Sequence, residues 1–384
     1  MATEEVKYQA KDYKSDQYVR WCPGCGDHAV LNCLHKAMAE VGVAPHDMAV
    51  ISGIGCSSRL PYYMNTYGFH TIHGRGAAIA TGVKTARPDL SVWLITGDGD
   101  CLAIGGNHFI HAVRRNIDLN IVLFNNKIYG LTKGQYSPTS DRGFVSKSSP
   151  FGTVEDPFVP AELALGARGN FFARAIDVDL KNTTEILAAS ARHKGASVTE
   201  VLVNCVIFND GIHKKIVDKE FRADRTIFLR HGEKMLFGKD NEKGIVLDGL
   251  KLKAVTIGQD GYTLDDVLVH DAHGLASNAD GHGDFGGLIV HQHHIRRLDG
   301  GIAAKTAHGN ADVGAGQHRG IVDTVAHKGQ LAGLLFQQLL HAAHLIGGQQ
   351  LSMEFIQSQL RSYGLRHRRG IASEHHGLFH TQPL

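Results

Sequence analysis

The sequence lacks the features that mark membrane, secreted and nucleic-acid-binding proteins. Its apolar runs are all far shorter than the ~20 residues that cross a bilayer. Its formal net charge is only +2, from 40 basic and 38 acidic residues, which gives no general attraction to nucleic acid or anionic membranes. The first residues, MATEEVKYQAKDYKSD, are charged and contain no apolar core of a secretory signal. We therefore expect a cytoplasmic protein that binds neither nucleic acid nor membrane.

Cysteine and proline are scarce, and their distribution divides the chain of 384 residues. The six cysteines all lie between positions 22 and 205, whereas residues 273–384 have no cysteine and a single proline. That last segment also holds 14 of the 25 histidines. We expect four segments, which are an N-terminal arm (1–15), a main domain (16–215), a C-terminal extension (216–272) and an atypical Gly- and His-rich tail (273–384).

Strand and helix patterns alternate along the first half of the chain. The strand candidates are continuous apolar runs, typical of strands buried on both faces of a parallel sheet: MAVISGIG (48–55), FHTIHG (69–74), SVWLITG (91–97), LNIVLFNN (119–126) and VTEVLVNC (198–205). Amphipathic helix patterns lie between them, at 28–42, 77–87, 107–116 and 183–195. The alternation predicts an α/β domain with a doubly wound, mostly parallel sheet.

Polar side chains follow two of these strands. Asp98 comes directly after one strand and Asn126 closes the next. Because parallel strands end at the same edge of a sheet, the two side chains should meet where such sheets bind ligands. A carboxylate, a carboxamide and a turn carbonyl suit Mg²⁺ that carries a substrate's phosphates. Gly99 allows close approach of a phosphate, and the helix start after Gly105 and Gly106 favours an anion. Ordinary turn and cap residues are the simpler alternative.

Several motifs in order resemble one enzyme family. GDG followed by NN is similar to the diphosphate-binding motif of thiamine-diphosphate enzymes. The stretches WCPGCGDHAVL (21–31), GIGCSSRLPYYMNTYGFHTIHGRGAAIATGVK (53–84) and NNKIYGLTKGQYSPTS (125–140) resemble the β subunit of 2-oxoacid:ferredoxin oxidoreductases. The likeness runs from about residue 15 to 271, and residues 229–258 resemble the 2-oxoglutarate type.

The resemblance assigns a cofactor site. It implies Mg²⁺ bound by Asp98, Asn126 and the carbonyl of Ile128, with thiamine diphosphate against the residues Ile54, Gly55, Cys56, Ser57, His73, Gly99, Asp100, Gly130 and Leu131. His73 could donate to a phosphate or cap the next helix. Such β subunits supply only the diphosphate half of the site, so a separate α subunit is implied, in a heterodimer or hetero-tetramer.

Four of the cysteines suit a metal centre. Cys22 and Cys25 form CPGC, and Cys56 and Cys205 each end a predicted strand. Four such thiolates could hold Zn²⁺ or a [4Fe–4S] cluster, and CPGC alone could be a redox dithiol. The family resemblance matches all four to ligands of a [4Fe–4S] cluster. Cys33 and Cys101 are expected to be packed core thiols, and His108 and His111 polar-face or packed histidines.

The resemblance implies an enzyme that decarboxylates a 2-oxo acid, transfers the acyl group to coenzyme A and reduces ferredoxin. Thiamine diphosphate supports the decarboxylation and a cluster accepts electrons singly. Arg59 could pair with the distal carboxylate of 2-oxoglutarate, since a guanidinium binds a carboxylate through two hydrogen bonds. Lys133 is a second cationic candidate. A surface arginine in a loop and a solvated lysine are the alternatives.

The tail from about residue 273 does not share the resemblance. Its histidines have no repeated ligand spacing, although HAAHLIGGQQLSMEFIQSQL (341–360) has a helical pattern. A reading-frame error in the gene would produce such a tail. Three rival functions stay open, which are a cluster-free thiamine decarboxylase or synthase, a non-catalytic zinc or dithiol protein, and a subunit inactivated by its altered end.

Overall fold

A six-stranded parallel sheet forms the centre of the protein. The structure, a computed structural model, describes residues 7–248, 251–271 and, for the main chain only, 289–291. The sheet has the strand order β2-β1-β3-β4-β6-β5, and all of its neighbouring strands run parallel. Its strands are β1 Met48–Ser52, β2 Tyr67–His70, β3 Ser91–Gly97, β4 Asn120–Asn125, β5 Phe172–Ile176 and β6 Ser197–Leu202.

Helices cover both faces of this sheet, as the doubly wound prediction requires. They are α1 Asp27–Val41, α2 Gly76–Ala86, α3 Gly106–Arg114, α4 Pro160–Gly166 and α5 Leu180–Arg192. Alternate side chains of β3 enter different cores: Trp93 and Ile95 pack with α1 and α5, whereas Val92 and Leu94 pack with α2, α3 and α4. A strand between two apolar cores needs apolar residues at every position, which explains the continuous runs.

The predicted strand over 69–74 is partly wrong. The structure places β2 earlier, at Tyr67–His70, and all four of its residues are exposed. The strand lies at the edge of the sheet, so it has one strand neighbour and does not share the burial of the central strands. β5, at the other edge of the sheet, and the short helix α4 were not predicted from the sequence.

A smaller β structure follows the main sheet. After the short helices α6 Lys214–Val217 and α7 Lys219–Arg225 come β7 Thr226–Phe228, β8 Leu236–Phe237, β9 Lys243–Asp248 and β10 Lys251–Thr256. β8, β9 and β10 pair antiparallel, and β7 pairs with β11 Ile289–His291. This part has its own small apolar clusters. The predicted boundary at 216 stays a prediction.

Short helices of other types complete the described part. Four 3-10 segments lie at Ala10–Tyr13, Pro45–Asp47, Ser57–Tyr63 and Leu264–Asp266. No helix within the described residues is long and apolar enough to span a membrane. Apart from the main chain of 289–291, the tail predicted over 273–384, with its helical pattern at 341–360, lies outside the described residues, as do residues 1–6 of the predicted arm.

Candidate cofactor and cluster site

One cavity lies at the carboxyl edge of the sheet. Asp98 directly follows β3 and Asn126 directly follows β4, and both line this cavity of about 160 Å³. Every residue that the sequence analysis predicts for thiamine diphosphate and Mg²⁺ also lines it: Ile54, Gly55, Cys56, Ser57, His73, Asp98, Gly99, Asp100, Asn126, Ile128, Gly130 and Leu131. Four stretches, which follow β1, β2, β3 and β4, therefore meet at one place. The assigned roles of these residues stay predictions.

Asp98 is a buried carboxylate held at one oxygen. The residue is only 2% exposed. Its Oδ2 atom accepts hydrogen bonds from Ser137 Oγ at 2.5 Å and from Thr139 Oγ1 at 2.6 Å. Burial raises the pKa of Asp98 to about 6, against the opposing effect of these hydroxyls. A divalent cation would favour the charged carboxylate, so this donor fits the predicted Mg²⁺.

Asn126 and Ile128 lie in a tight turn after β4. The Asn126 Oδ1 atom accepts a hydrogen bond from the Ile128 amide at 3.1 Å. Lys127 between them has a φ of 54°, in the left-handed region that a residue with a side chain rarely adopts. This turn brings both predicted ligands to the rim of the cavity, which the strand pattern alone could not fix.

The carboxylate of Asp100 is engaged by hydrogen bonds from the protein itself. Its Oδ1 accepts from the amides of Ile54 at 3.0 Å and Gly74 at 2.7 Å and lies 2.7 Å from His73 Nδ1, while its Oδ2 accepts from Thr96 at 2.8 Å. Because four donors occupy the carboxylate, only the main chain of Asp100 is left to face a diphosphate. His73, bound through Nδ1, can donate to a phosphate only through Nε2.

The predicted helix over 107–116 is α3, which begins at Gly106, and the anion site expected at its start stays a prediction. A π-helical turn over Gly99–Ile104 fills the interval before α3, so helical structure begins directly after Asp98. A side chain on Gly105 would meet the carbonyl of Asp100 at 2.3 Å, which shows that this glycine is packed inside the turn. A helical segment therefore also begins at Gly99, and its first residues, Gly99 and Asp100, line the cavity.

Gly99 is required by close packing. A β-carbon there would lie 2.2 Å from the ring of Tyr129, whose hydroxyl donates to the Gly99 carbonyl at 3.0 Å. Tyr129 also lines the cavity. The ring thus fixes the loop after β3 to the turn after β4.

Two hydrogen bonds bring the three cysteine-bearing stretches together. The indole of Trp21, beside Cys22, donates to the carbonyl of Cys56 at 2.7 Å. The amide of Gly26, beside Cys25, donates to the carbonyl of Asn204 at 3.1 Å, next to Cys205. These two bonds join the CPGC turn to both of the other stretches.

Two of the sulfur atoms lie against the cofactor cavity. Cys56 Sγ and Cys205 Sγ are each 3.5 Å from the position that a β-carbon would take on Gly130, a predicted thiamine-diphosphate residue. Burial raises the pKa of Cys56 to about 12, and burial raises the pKa of Cys25 above its usual range. All six cysteines are free.

The four thiols fit a metal cluster by their chemistry rather than by a preformed cage. Within the described ranges, no three His, Cys, Asp or Glu side chains converge closely enough to hold a metal ion. Thiols bind metal as thiolates, so binding releases their protons and draws the ligands together. Four thiols from three joined stretches, two of them beside the cofactor cavity, are the donor set that an iron–sulfur cluster uses.

Asp27 is a cavity residue that the sequence analysis missed. It is 2% exposed, begins α1 directly after CPGCG, and lines the cavity. Its Oδ2 atom has no hydrogen-bond partner among the described residues. Burial raises the pKa of this carboxyl to about 7, against a hydrogen bond from Cys25.

The two predicted substrate-binding cations lie near the cavity but do not line it. Arg59 is half-buried in the 3-10 segment Ser57–Tyr63 and donates to the carbonyl of Arg20 at 3.2 Å. Its charge favours the thiolate of Cys56, which puts it beside the cluster cysteines. Lys133 is exposed, two residues after the cavity residue Leu131, with a φ of 75°.

The remaining candidates are packed side chains. Cys33 is buried and donates to the Leu180 carbonyl at 3.4 Å, and Cys101 is buried in the core beneath α2 and α3. Ser137 and Thr139, which hold Asp98, were missed. The hydroxyl-rich run SPTS (137–140) was a signal for them, although only the fold shows that it returns to the strand ends.

Comparisons with known proteins agree with this geometry. The family described as thiamine pyrophosphate enzyme, C-terminal TPP-binding domain, matches residues 52–201. The chain is 53% identical over 270 residues to the 2-oxoglutarate oxidoreductase subunit KorB of Mycobacterium tuberculosis. This match covers 70% of this chain and 72% of the relative. It is 39% identical over 236 residues to the 2-oxoglutarate synthase subunit KorB of Methanocaldococcus jannaschii, 61% of this chain and 87% of that one.

A solved structure extends the comparison to the fold. The chain superposes with a TM-score of 0.61 and 31% identity on 2-oxoglutarate:ferredoxin oxidoreductase from Magnetococcus marinus, determined with 2-oxoglutarate, coenzyme A and succinyl-CoA bound. The match covers 83% of this chain and 97% of the other. It confirms the predicted α/β class.

Proposed function

This chain belongs to the family of β subunits of 2-oxoacid:ferredoxin oxidoreductases, and we propose that it acts in the oxidative decarboxylation of 2-oxoglutarate. In this proposal 2-oxoglutarate and coenzyme A give succinyl-CoA and CO₂, and ferredoxin takes the electrons through a [4Fe–4S] cluster. The observation that supports it most is the single cavity that all predicted thiamine-diphosphate residues line, with two of the four cluster cysteines against its wall.

The cofactor half of the site would be held by the two strand ends. Asp98, the Asn126 side chain and the Ile128 carbonyl would bind Mg²⁺, since all three lie at the cavity and offer the hard oxygen atoms that this ion prefers. The main-chain amides after Asp98 would bind the diphosphate, because they lie at the cavity and at the start of a helical segment. Thiamine diphosphate supplies the electron-sink chemistry for decarboxylation when it is bound.

The cluster half would be held by Cys22, Cys25, Cys56 and Cys205. Their three stretches are joined by the Trp21 and Gly26 hydrogen bonds described above. Cys56 and Gly130 both line the cavity, and the Cys56 and Cys205 sulfurs lie 3.5 Å from where a β-carbon on Gly130 would be, so the proposed cluster would lie next to the cofactor.

The proposed partners are an α subunit and ferredoxin. The chain's family position implies an α subunit that completes the thiamine-diphosphate site, and ferredoxin as electron acceptor, in the cytoplasm. Arg59 and Lys133 would bind the carboxylates of the 2-oxo acid from the rim of the cavity.

Metal analysis after anaerobic purification tests this function. The full chain, co-expressed with its α subunit and purified without added metal, should carry about four irons and four sulfides per cluster site and show a visible absorption band that dithionite bleaches. Zinc in place of iron would instead favour the zinc-binding alternative. A protein that is metal-free yet decarboxylates 2-oxoglutarate would identify the cluster-free thiamine enzyme.

The substrate assignment has a separate test at Arg59. Arg59→Met should raise KM for 2-oxoglutarate by about 10- to 150-fold, the value of one charge-assisted hydrogen bond. Arg59→Lys should retain most of the affinity because it keeps the charge. KM for pyruvate, which has no distal carboxylate, should change little in either variant. Equal effects on both substrates would contradict the assignment.

A further inference from the structure

The segment Ser137–Ser140, which we call the SPTS segment, packs over the ends of β3 and β4. Ser137 and Thr139 are each 2% exposed, and both donate to the same oxygen of Asp98, at 2.5 and 2.6 Å. Such short bonds to a carboxylate are charge-assisted and directional. Because two hydroxyls hold Oδ2, the carboxylate group of Asp98 cannot turn freely about its Cβ–Cγ bond.

The same segment is anchored to β4. Thr139 Oγ1 also lies 2.9 Å from Asn125 Oδ1, and because a hydroxyl has one proton the two oxygen atoms share it. The Asn125 amide nitrogen donates in turn to Glu200 Oε1 at 2.7 Å. Thr139 is therefore tied to a side chain that is itself fixed inside the sheet.

The segment also holds the turn that carries the other two proposed ligands. Ser140 Oγ donates to the carbonyl of Lys127 at 2.7 Å, and Asn209 Nδ2 donates to the carbonyl of Asn126 at 2.9 Å. Because Lys127 is in the left-handed conformation, the turn depends on such bonds to keep its shape. Both halves of the proposed cation site thus rest on hydroxyls of one short segment.

We propose that Ser137, Thr139 and Ser140 are positioning residues that preset the divalent-cation site before the ion binds. They act through Asp98 and the turn Asn126–Ile128 rather than by contacting the ion. The inference rests on the proposed function, since it assumes that these groups hold the cation of thiamine diphosphate. Outer-shell partners of this kind change metal affinity by about 10- to 100-fold when they are removed.

Binding of Mn²⁺, followed by electron paramagnetic resonance with thiamine diphosphate present, tests this role. The protein is the full chain in complex with its α subunit. Ser137→Ala and Thr139→Val should each bind Mn²⁺ about 10- to 100-fold more weakly than wild type. Thr139→Ser keeps the hydroxyl and should bind close to wild type. Rescue by serine separates a positioning hydroxyl from the packing of the threonine methyl group.

Thr183 provides a matched control. It is 1% exposed and donates to the Ile176 carbonyl at 2.9 Å, in α5. Thr183→Val removes a buried hydroxyl elsewhere, so it should lower thermal stability but leave Mn²⁺ affinity unchanged. If Thr139→Val does not fold, Ser137→Ala decides.

The failures of the two proposals are distinguishable. Wild-type affinity in folded Ser137→Ala and Thr139→Val would overturn the positioning role while leaving the cation site in place. A wild-type complex that binds no Mn²⁺ in the presence of thiamine diphosphate would overturn the proposed cation site, and this inference with it.

Discussion

Replacing Asp100 by asparagine tests whether one buried carboxylate holds three loops of the cavity together. Its two oxygens receive four donors: the amides of Ile54 and Gly74, the ring of His73 and the hydroxyl of Thr96. Asparagine has nearly the same volume, so packing is conserved and the change isolates charge and acceptor number.

The expected loss follows from counting acceptors. If the new amide nitrogen takes the place of Oδ2, Thr96 can accept instead of donating and keeps its bond. Three donors then compete for one neutral oxygen with two lone pairs, so at least one loses its partner. His73 is partly exposed and can turn to water, but the two amides cannot. Because His73 can be the donor that leaves, the two amides share the remaining oxygen, and loss of charge assistance at their bonds should lower the free energy of unfolding by about 1–3 kcal/mol.

Chemical denaturation and cofactor binding measure the two consequences. Asp100→Asn should lower the unfolding midpoint and also weaken thiamine-diphosphate binding, since the loops of Ile54 and Gly74 line or adjoin the cavity. Asp89→Asn is the matched control, because Asp89 is exposed and pairs only with the exposed Arg87 at the surface among the contacts described. It should change stability by less than about 0.5 kcal/mol. If Asp100→Asn were as stable as the control, the four bonds would not be the reason for the loop arrangement.

Two further changes test the cysteines and the buried ion pair. Cys25→Ser should abolish bound iron in anaerobically purified protein, whereas Cys33→Ser, at a buried core thiol, should keep the iron content of wild type. Equal iron in the two variants would show that Cys25 is not a cluster ligand. Arg174→Met should lower the free energy of unfolding by about 3–5 kcal/mol, because Glu200 is 1% exposed and loses the cation 2.7 Å away. Arg192→Met, at an exposed pair, should lower it by less than about 1 kcal/mol in the same denaturation series.

The central strands could be predicted because they face two cores. β3 and β4 read as unbroken apolar runs, and the structure buries them from both sides. β5 was missed because Arg174 interrupts its apolar pattern, and that residue pairs with Glu200 on the neighbouring strand. A contact between distant residues decides this strand, so no local pattern could reveal it.

The site was predictable as far as strand topology determines it. Parallel strands end at one edge of the sheet, so Asp98 and Asn126 come together independently of the conformation of the loops. The hydroxyls of Ser137 and Thr139 depend instead on how a loop returns to that edge. The turn at Lys127 depends on a conformation that its residue type does not favour. These features arise from tertiary contacts, and they are also the ones that fix the geometry of the site.

Three buried carboxylates line this cavity, and their hydrogen bonds separate their tasks. Asp100 is fully occupied by four donors and therefore serves the structure. Asp98 accepts both hydroxyl hydrogen bonds at Oδ2, an arrangement that suits the proposed cation ligand because neither hydroxyl occupies Oδ1. Asp27 receives a hydrogen bond from the thiol of Cys25, and its Oδ2 has no partner within the described part of the chain. Iron bound to Cys25 would remove that thiol proton, so in the loaded enzyme Asp27 would depend for a donor on whatever occupies the cavity.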